Sequence, residues 1–171
     1  TLDHSEDHNP LSLFPIDDLV NMGRAYNIMN FVWFMPSIEG GDIKTRAVGI
    51  PILNDMIRTA EEAMDGNGHC ADFRFGHDSG VGPLAAMLEI GDYAKRIHIA
   101  ESPDEWPACR NLCMCSNIQL IFYRNKAGEV LVKVLLNEKE VLIGESCPIY
   151  CGPYYKWEDF LDFVSAKTAD R

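Results

Sequence analysis

The sequence predicts an α/β fold, and three observations predict it. Asp72-Phe73-Arg74-Phe75-Gly76 alternates polar and aromatic residues as a strand does, and runs straight into His77-Asp78-Ser79-Gly80 and the helically spaced apolar stretch Val81–Ile90. Amphipathic helical segments precede this unit, and an antiparallel hairpin with a closing helix follows it. A strand that hands an adjacent base and acid to a helix-opening turn is the way open α/β sheets present chemistry at strand carboxyl ends.

Each element has a local reason. Residues 1–12 are polar and acidic and read as a tail. Pro15–Phe34 reads as a helix. Proline opens it, Asp17 and Asp18 occupy the first turn where the helix dipole favours anions, and Leu19, Met22, Ala25, Tyr26, Met29 and Trp33 recur at spacings of three or four. Pro36–Asp42 is a loop. Lys44–Met64 is helical with a break or kink at Gly49 and Pro51, places Ile52, Met56, Ile57 and Ala60 on one face, and stops at Asp65-Gly66-Asn67-Gly68. A polar, proline-containing loop covers Ala100–Arg110. Ile118–Tyr123 and Glu129–Leu136 are strands around an Asn125-Lys126-Ala127-Gly128 turn, a second turn at Asn137–Lys139 leads to a strand over Glu140–Ile143, and Trp157–Val164 closes the chain as an amphipathic helix. The organisation is therefore a tail (1–12), a helical segment (13–68), an α/β segment (69–166) and a short tail (167–171).

Composition narrows the function classes. A chain of 171 residues with 47% hydrophobic and 10% aromatic content can bury a core as one domain, alone or with a small appendage. The net charge of −11 opposes binding to nucleic acid or an anionic membrane surface, and no apolar run approaches the roughly 20 residues of a membrane span. A phosphorylated substrate is compatible with this charge, because a field is largely screened beyond about 10 Å and a few local cations can hold a phosphate.

Several side chains are candidates for chemistry. His77 and Asp78 are an adjacent base and acid, with a buried histidine capped by its aspartate as the structural alternative. Arg74 either faces the same pocket or pairs with Asp72. Of six cysteines, Cys109, Cys113, Cys115, Cys147 and Cys151 group late and Cys70 stands apart. They can be disulfides of an exported protein, unpaired thiols or, with spacings that suit zinc poorly, a metal site. His4 and His8, four apart, lie in the polar tail and lack the apolar face that would make a helix of it. Phe31, Trp33 and Phe34 either line a cleft or pack in the core.

The segments DFRFGHDSGVGPLAAMLEI, SNIQLIFYRNKAGEVLVKVLLNEKEV and GPYYKWEDFLDFV, taken in order, resemble the C-terminal half of a histidine acid phosphatase. This is the branch of the histidine phosphatase superfamily that includes phytases and multiple inositol polyphosphate phosphatases. The similarity runs from about residue 13 to residue 165. It implies part of a phosphoglycerate mutase-like α/β core, a preceding piece of a helical insertion, and a late antiparallel hairpin.

The resemblance also implies a site. His77 would bind the phosphate, Asp78 would donate a proton to the leaving alcohol, and the short Ser79 and Gly80 would let the substrate approach. The reaction would be phosphomonoester hydrolysis, of an inositol phosphate or phytate for example, with no metal and no cofactor. The family's nucleophile, however, is a histidine in an Arg-His-Gly-x-Arg-x-Pro loop, and none of His4, His8, His69, His77 and His98 has that context. Without it nothing forms the phosphohistidine. The expectation is that these residues alone do not turn over phosphomonoesters, and that a missing or separate N-terminal half is a partner. The start at Thr1, without Met or a signal pattern, suits a mature form or a cut piece. A homo-oligomer through exposed core surface is a further expectation, and secretion or periplasmic export follows from the family and the even cysteine count. The alternative reading is a non-catalytic phosphate-binding or protein-interaction module.

Overall fold

Helix α1 spans Ile16–Phe34 and begins where the sequence predicts, after Pro15, with Asp17 and Asp18 in its first turn. The computed structural model describes residues 10–34, 41–95, 97–106 and 112–169. The rotation of α1 differs from the apolar stripe. Met22, Met29 and Trp33 are exposed, whereas Asn27, Asn30 and Phe31 are buried. Phe31 meets the Trp106 ring at a centroid distance of 5.9 Å, and the buried Asn30 donates from Nδ2 to the Tyr26 carbonyl at 3.1 Å. The fit of Phe31 against Trp106 thus marks the face that the helix presents inward.

Helix α2, Gly41–Met64, runs through Gly49 and Pro51 without the expected break. Pro51 removes a single hydrogen bond on an exposed stretch of the helix. Gly49 serves packing. A Cβ there would lie 2.6 Å from Met87 Cγ and 3.3 Å from the Pro83 carbonyl oxygen, so the missing side chain admits the next helix. After α2 the chain turns at Gly66, with φ at +79°, and the amides of Asn67 and Gly68 both donate to the Glu62 carbonyl at 2.9 Å.

The predicted strand at residues 72–76 is the main correction. This segment has no regular secondary structure and belongs to no sheet. From Ala71 to Gly76, no N–H or C=O pairs with another backbone group among the described residues. Phe73 and Phe75 are 81% and 96% exposed, while Arg74 reaches back to α2. Helix α3 follows at Asp78–Met87, three residues earlier than its apolar spacing predicts. A 3-10 turn at Gly91–Ala94 and the short helix α4, Ser102–Glu105, occupy the stretch before the sheet.

The sheet has four antiparallel strands built around β2, Val130–Leu136. β1, Ile118–Arg124, lies along one side in a register that pairs Arg124 with Val130 and Ile118 with Leu136. The other side of β2 is shared end to end by β3, Lys139–Val141, opposite Val134–Leu136, and β4, Tyr154–Lys156, opposite Leu131–Lys133. The first hairpin closes on Asn125, whose Oδ1 accepts from the amides of Ala127 at 2.9 Å and Glu129 at 3.0 Å. The second turns tightly on Asn137 and Glu138, with φ of 50° and 61°, the double left-handed geometry of a two-residue hairpin. β3 therefore starts one residue earlier and ends two earlier than the sequence pattern predicts, and β4 has no counterpart in that pattern. Helix α5, Trp157–Thr168, outlasts its predicted end by four residues.

The result is α/β in the general sense of mixed helix and antiparallel sheet. One core joins Leu84 and Ala85 of α3, and Leu88 just after it, to Val132 and Val134 of β2, Tyr155 of β4 and Phe160, Phe163 and Val164 of α5. The Tyr155 hydroxyl accepts the amide of Ile143 at 3.0 Å, and burial raises its pKa above the usual value. Among the described residues no helix is long and apolar enough to cross a membrane.

Candidate functional site

The start of α3 carries the two residues singled out by sequence. His77 is the residue before the helix, with extended backbone (φ −112°, ψ 171°), and its carbonyl accepts the amides of Gly80 at 2.9 Å and Val81 at 3.3 Å. Its imidazole is exposed and makes no capping hydrogen bond. Asp78 is the first helical residue and half-buried. Its Oδ1 accepts the Ser79 amide at 2.8 Å, and its Oδ2 accepts the Tyr26 hydroxyl from α1. The structural alternative, a buried histidine capped by its neighbour, is not what forms. The histidine faces solvent, and the aspartate is held by other groups.

Ser79 is half-buried, with its amide directed to the Asp78 carboxylate. Gly80 lies over α2, where an added Cβ would meet Ile52 Cδ1 at 3.5 Å, an ordinary contact. Arg74 neither faces the pair nor binds Asp72. Its Nε donates to Asp55 Oδ2 at 2.8 Å, and its Nη2 donates to Thr59 Oγ1 at 2.9 Å. Arg58 also donates to Asp55, at 2.6 Å, and these two guanidinium groups, Arg58 first, hold the Asp55 carboxyl below the usual carboxylate range. Arg74 thus fastens the segment 71–76 to α2, and the arginine is spent on structure.

The contact that the sequence does not announce is the one from Tyr26 to Asp78. Tyr26 lies 52 positions from Asp78, and its spacing marks it only as part of a helical face. Of the aromatic cluster, Phe31 is core, Trp33 is largely exposed, and the side chain of Phe34 lies outside the described residues. His4 and His8 also lie outside them. An open groove of about 460 Å³ lies between the first hairpin and α5, lined by Tyr123, Arg124, Tyr150, Lys156 and Trp157 among others, and neither His77 nor Asp78 borders it.

Five of the cysteines are described, and each is a free thiol; Cys109 falls outside the described residues. Among the described residues no three His, Cys, Asp or Glu side chains gather as a metal site. Cys70, Cys113, Cys115 and Cys151 are exposed, whereas Cys147 is buried and donates weakly to the Asp159 carbonyl at 3.7 Å. Burial, and secondarily the Asp159 charge, pushes the Cys147 thiol from 9.0 up to about 11. The folded state therefore favours the neutral thiol. That contribution is complete below the unfolded value of 9.0 and is lost as pH rises through about 11. Cys147 is expected to react with iodoacetamide at least about tenfold more slowly than the exposed thiols, and the urea midpoint is expected to fall over that alkaline window. Equal labelling rates would contradict this burial.

No family model matches the chain, and no curated protein matches it.

Proposed function

We propose that this chain carries the proton-donor half of a phosphomonoester hydrolase of the histidine acid phosphatase type, with His77 as phosphate ligand, Asp78 as proton donor and Ser79 at the substrate. In this reading the 69–166 segment is part of a phosphoglycerate mutase-like core. Its other half, supplied by further sequence or a separate polypeptide, brings the Arg-His-Gly-x-Arg-x-Pro nucleophile loop. Phytate and other inositol phosphates are the proposed substrates, no cofactor takes part, and the working compartment is extracellular or periplasmic.

One observation carries the reading. The segment leading to His77-Asp78 lies outside the sheet, from Ala71 to Gly76 it makes no backbone–backbone hydrogen bond among the described residues, and Phe73 and Phe75 stand 81% and 96% exposed. Covering one phenylalanine is worth about 1.5–3 kcal/mol, and bare ladder groups invite a neighbouring strand. A strand that has lost its neighbours has this appearance, and the acid and base at its carboxyl end are then the exposed rim of a divided site. The chemistry suits the pair. An imidazole can donate to phosphoryl oxygens, and a carboxylic acid can protonate a departing alkoxide in mildly acidic solution.

The test is hydrolysis of 4-nitrophenyl phosphate and phytate at about pH 5, the acidic side on which a carboxyl general acid works. The isolated chain is expected to be inactive, and the polypeptide that includes the nucleophile loop to be active. Robust turnover by the isolated chain, abolished by Asp78→Ala, would show that the nucleophile lies within these residues. Absence of turnover in both would remove the phosphatase reading. The exposed phenylalanines also favour a second reading, a non-catalytic module that binds phosphate at His77 and a protein along residues 71–76. It requires phosphate binding and association without turnover in the complete polypeptide.

A further inference from the structure

We infer that Tyr26 is a positioning residue that decides which oxygen of Asp78 carries the transferable proton, and hence on which side of the site the leaving alcohol rests. The inference rests on the proton-donor reading of Asp78 and adds to it a residue from a different helix.

The two carboxyl oxygens of Asp78 have different neighbours. Oδ1 accepts the Ser79 amide at 2.8 Å, and an amide N–H can only donate. A proton on Oδ1 would face that donor, so the acid form carries its proton on Oδ2. Oδ2 meets the Tyr26 hydroxyl, which can donate to a carboxylate or accept from a carboxylic acid. The hydroxyl therefore serves both protonation states, and the amide serves one.

The step balances on this geometry. As the phosphorus–oxygen bond breaks, its electron pair passes to the leaving oxygen, and the phosphoryl group passes to an imidazole nucleophile of the completing half. The Oδ2–H bond breaks and a new O–H bond forms on the alcohol. The carboxylate left behind is stabilised by the Tyr26 hydroxyl and the Ser79 amide. Because the proton leaves from Oδ2, the alcohol lies against α1, beside Tyr26.

Tyr26 is well fixed for this task. The Asn30 amide, fully buried, donates to its carbonyl at 3.1 Å, and the adjacent Phe31 is buried against Trp106. A hydroxyl on a packed helix holds its partner more closely than one on a loop.

The experiment compares two substrates in the complete, active polypeptide. 4-Nitrophenolate leaves readily without a proton, whereas the alkoxide of glycerol 2-phosphate needs one. Tyr26→Phe is expected to lower kcat on glycerol 2-phosphate about tenfold more than on 4-nitrophenyl phosphate, a fraction of what general acid catalysis supplies. A merely structural role lowers both alike, and equal losses would overturn the inference. Asp78→Asn separates the two levels. If it shows no preference for the alkyl substrate, the proton-donor reading fails and the inference with it. If it shows the preference and Tyr26→Phe does not, the inference alone fails. In the isolated chain, the Asp78 carboxyl carbon resonance is expected to move on Tyr26→Phe at fixed pH, and an unmoved resonance overturns the contact itself.

Discussion

Phe160→Ala is expected to cost about 3–5 kcal/mol, a large fraction of the roughly 5–15 kcal/mol that holds a domain folded. The ring is fully buried, stacks on Trp157 at a centroid distance of 5.5 Å with planes 16° apart, and belongs to the core that joins α5 to β2. Trp157 in turn meets Phe122 of β1 edge-on at 5.2 Å, so truncation loosens a chain of rings from the closing helix to the far strand. The loss combines transfer free energy with a cavity that these packed rings cannot fully collapse. A urea titration followed by tryptophan fluorescence measures it. Phe73→Ser supplies the control: that ring is 81% exposed, and its replacement should change the stability of the isolated chain by less than about 0.5 kcal/mol. A loss below about 1 kcal/mol for Phe160→Ala would mean that the α5–β2 core is not built this way.

Local signals in the sequence carry far where the deciding physics is local. Pro15, Asp17 and Asp18 mark the start of α1 to within a residue, and the turn at Asn125–Gly128 separates the paired Arg124 and Val130. Where a partner decides, the signals fall short. Alternation at 72–76 suggests a strand, but a strand also needs a neighbour to take its N–H and C=O groups, and no local pattern supplies one. The face of α1 escapes the pattern for the same kind of reason. Leucine and methionine spacing suggests one stripe, and the fit of Phe31 against Trp106 selects another. β4, only three residues long, exists because half of one side of β2 is left open by the equally short β3. His77 and Asp78 are legible as neighbours in sequence. The hydroxyl that orients Asp78 is not, because Tyr26 comes from another helix and looks like any aromatic on an amphipathic face.

Asp78→Asn is expected to reduce kcat on an alkyl phosphate by about 10²–10⁴-fold in the complete polypeptide, the usual contribution of a positioned general acid. The substitution keeps the shape of the side chain. With its amide oxygen toward Ser79, the new side chain would retain the 2.8 Å hydrogen bond now made by Oδ1, and its NH₂ group would face the Tyr26 hydroxyl, which can accept. What disappears is a proton acidic enough to follow the electron pair onto the departing alkoxide. The loss should therefore be much smaller on 4-nitrophenyl phosphate, whose leaving group departs as a stable anion. His77→Ala should behave differently, raising KM and lowering kcat on both substrates alike, since a phosphate ligand is indifferent to the alcohol that leaves. Initial rates on the two substrates across the acidic and neutral range distinguish these patterns. If Asp78→Asn hydrolyses both with unchanged pH dependence, the proton comes from elsewhere, and the carboxylate held between Tyr26 and Ser79 caps a helix and does nothing more.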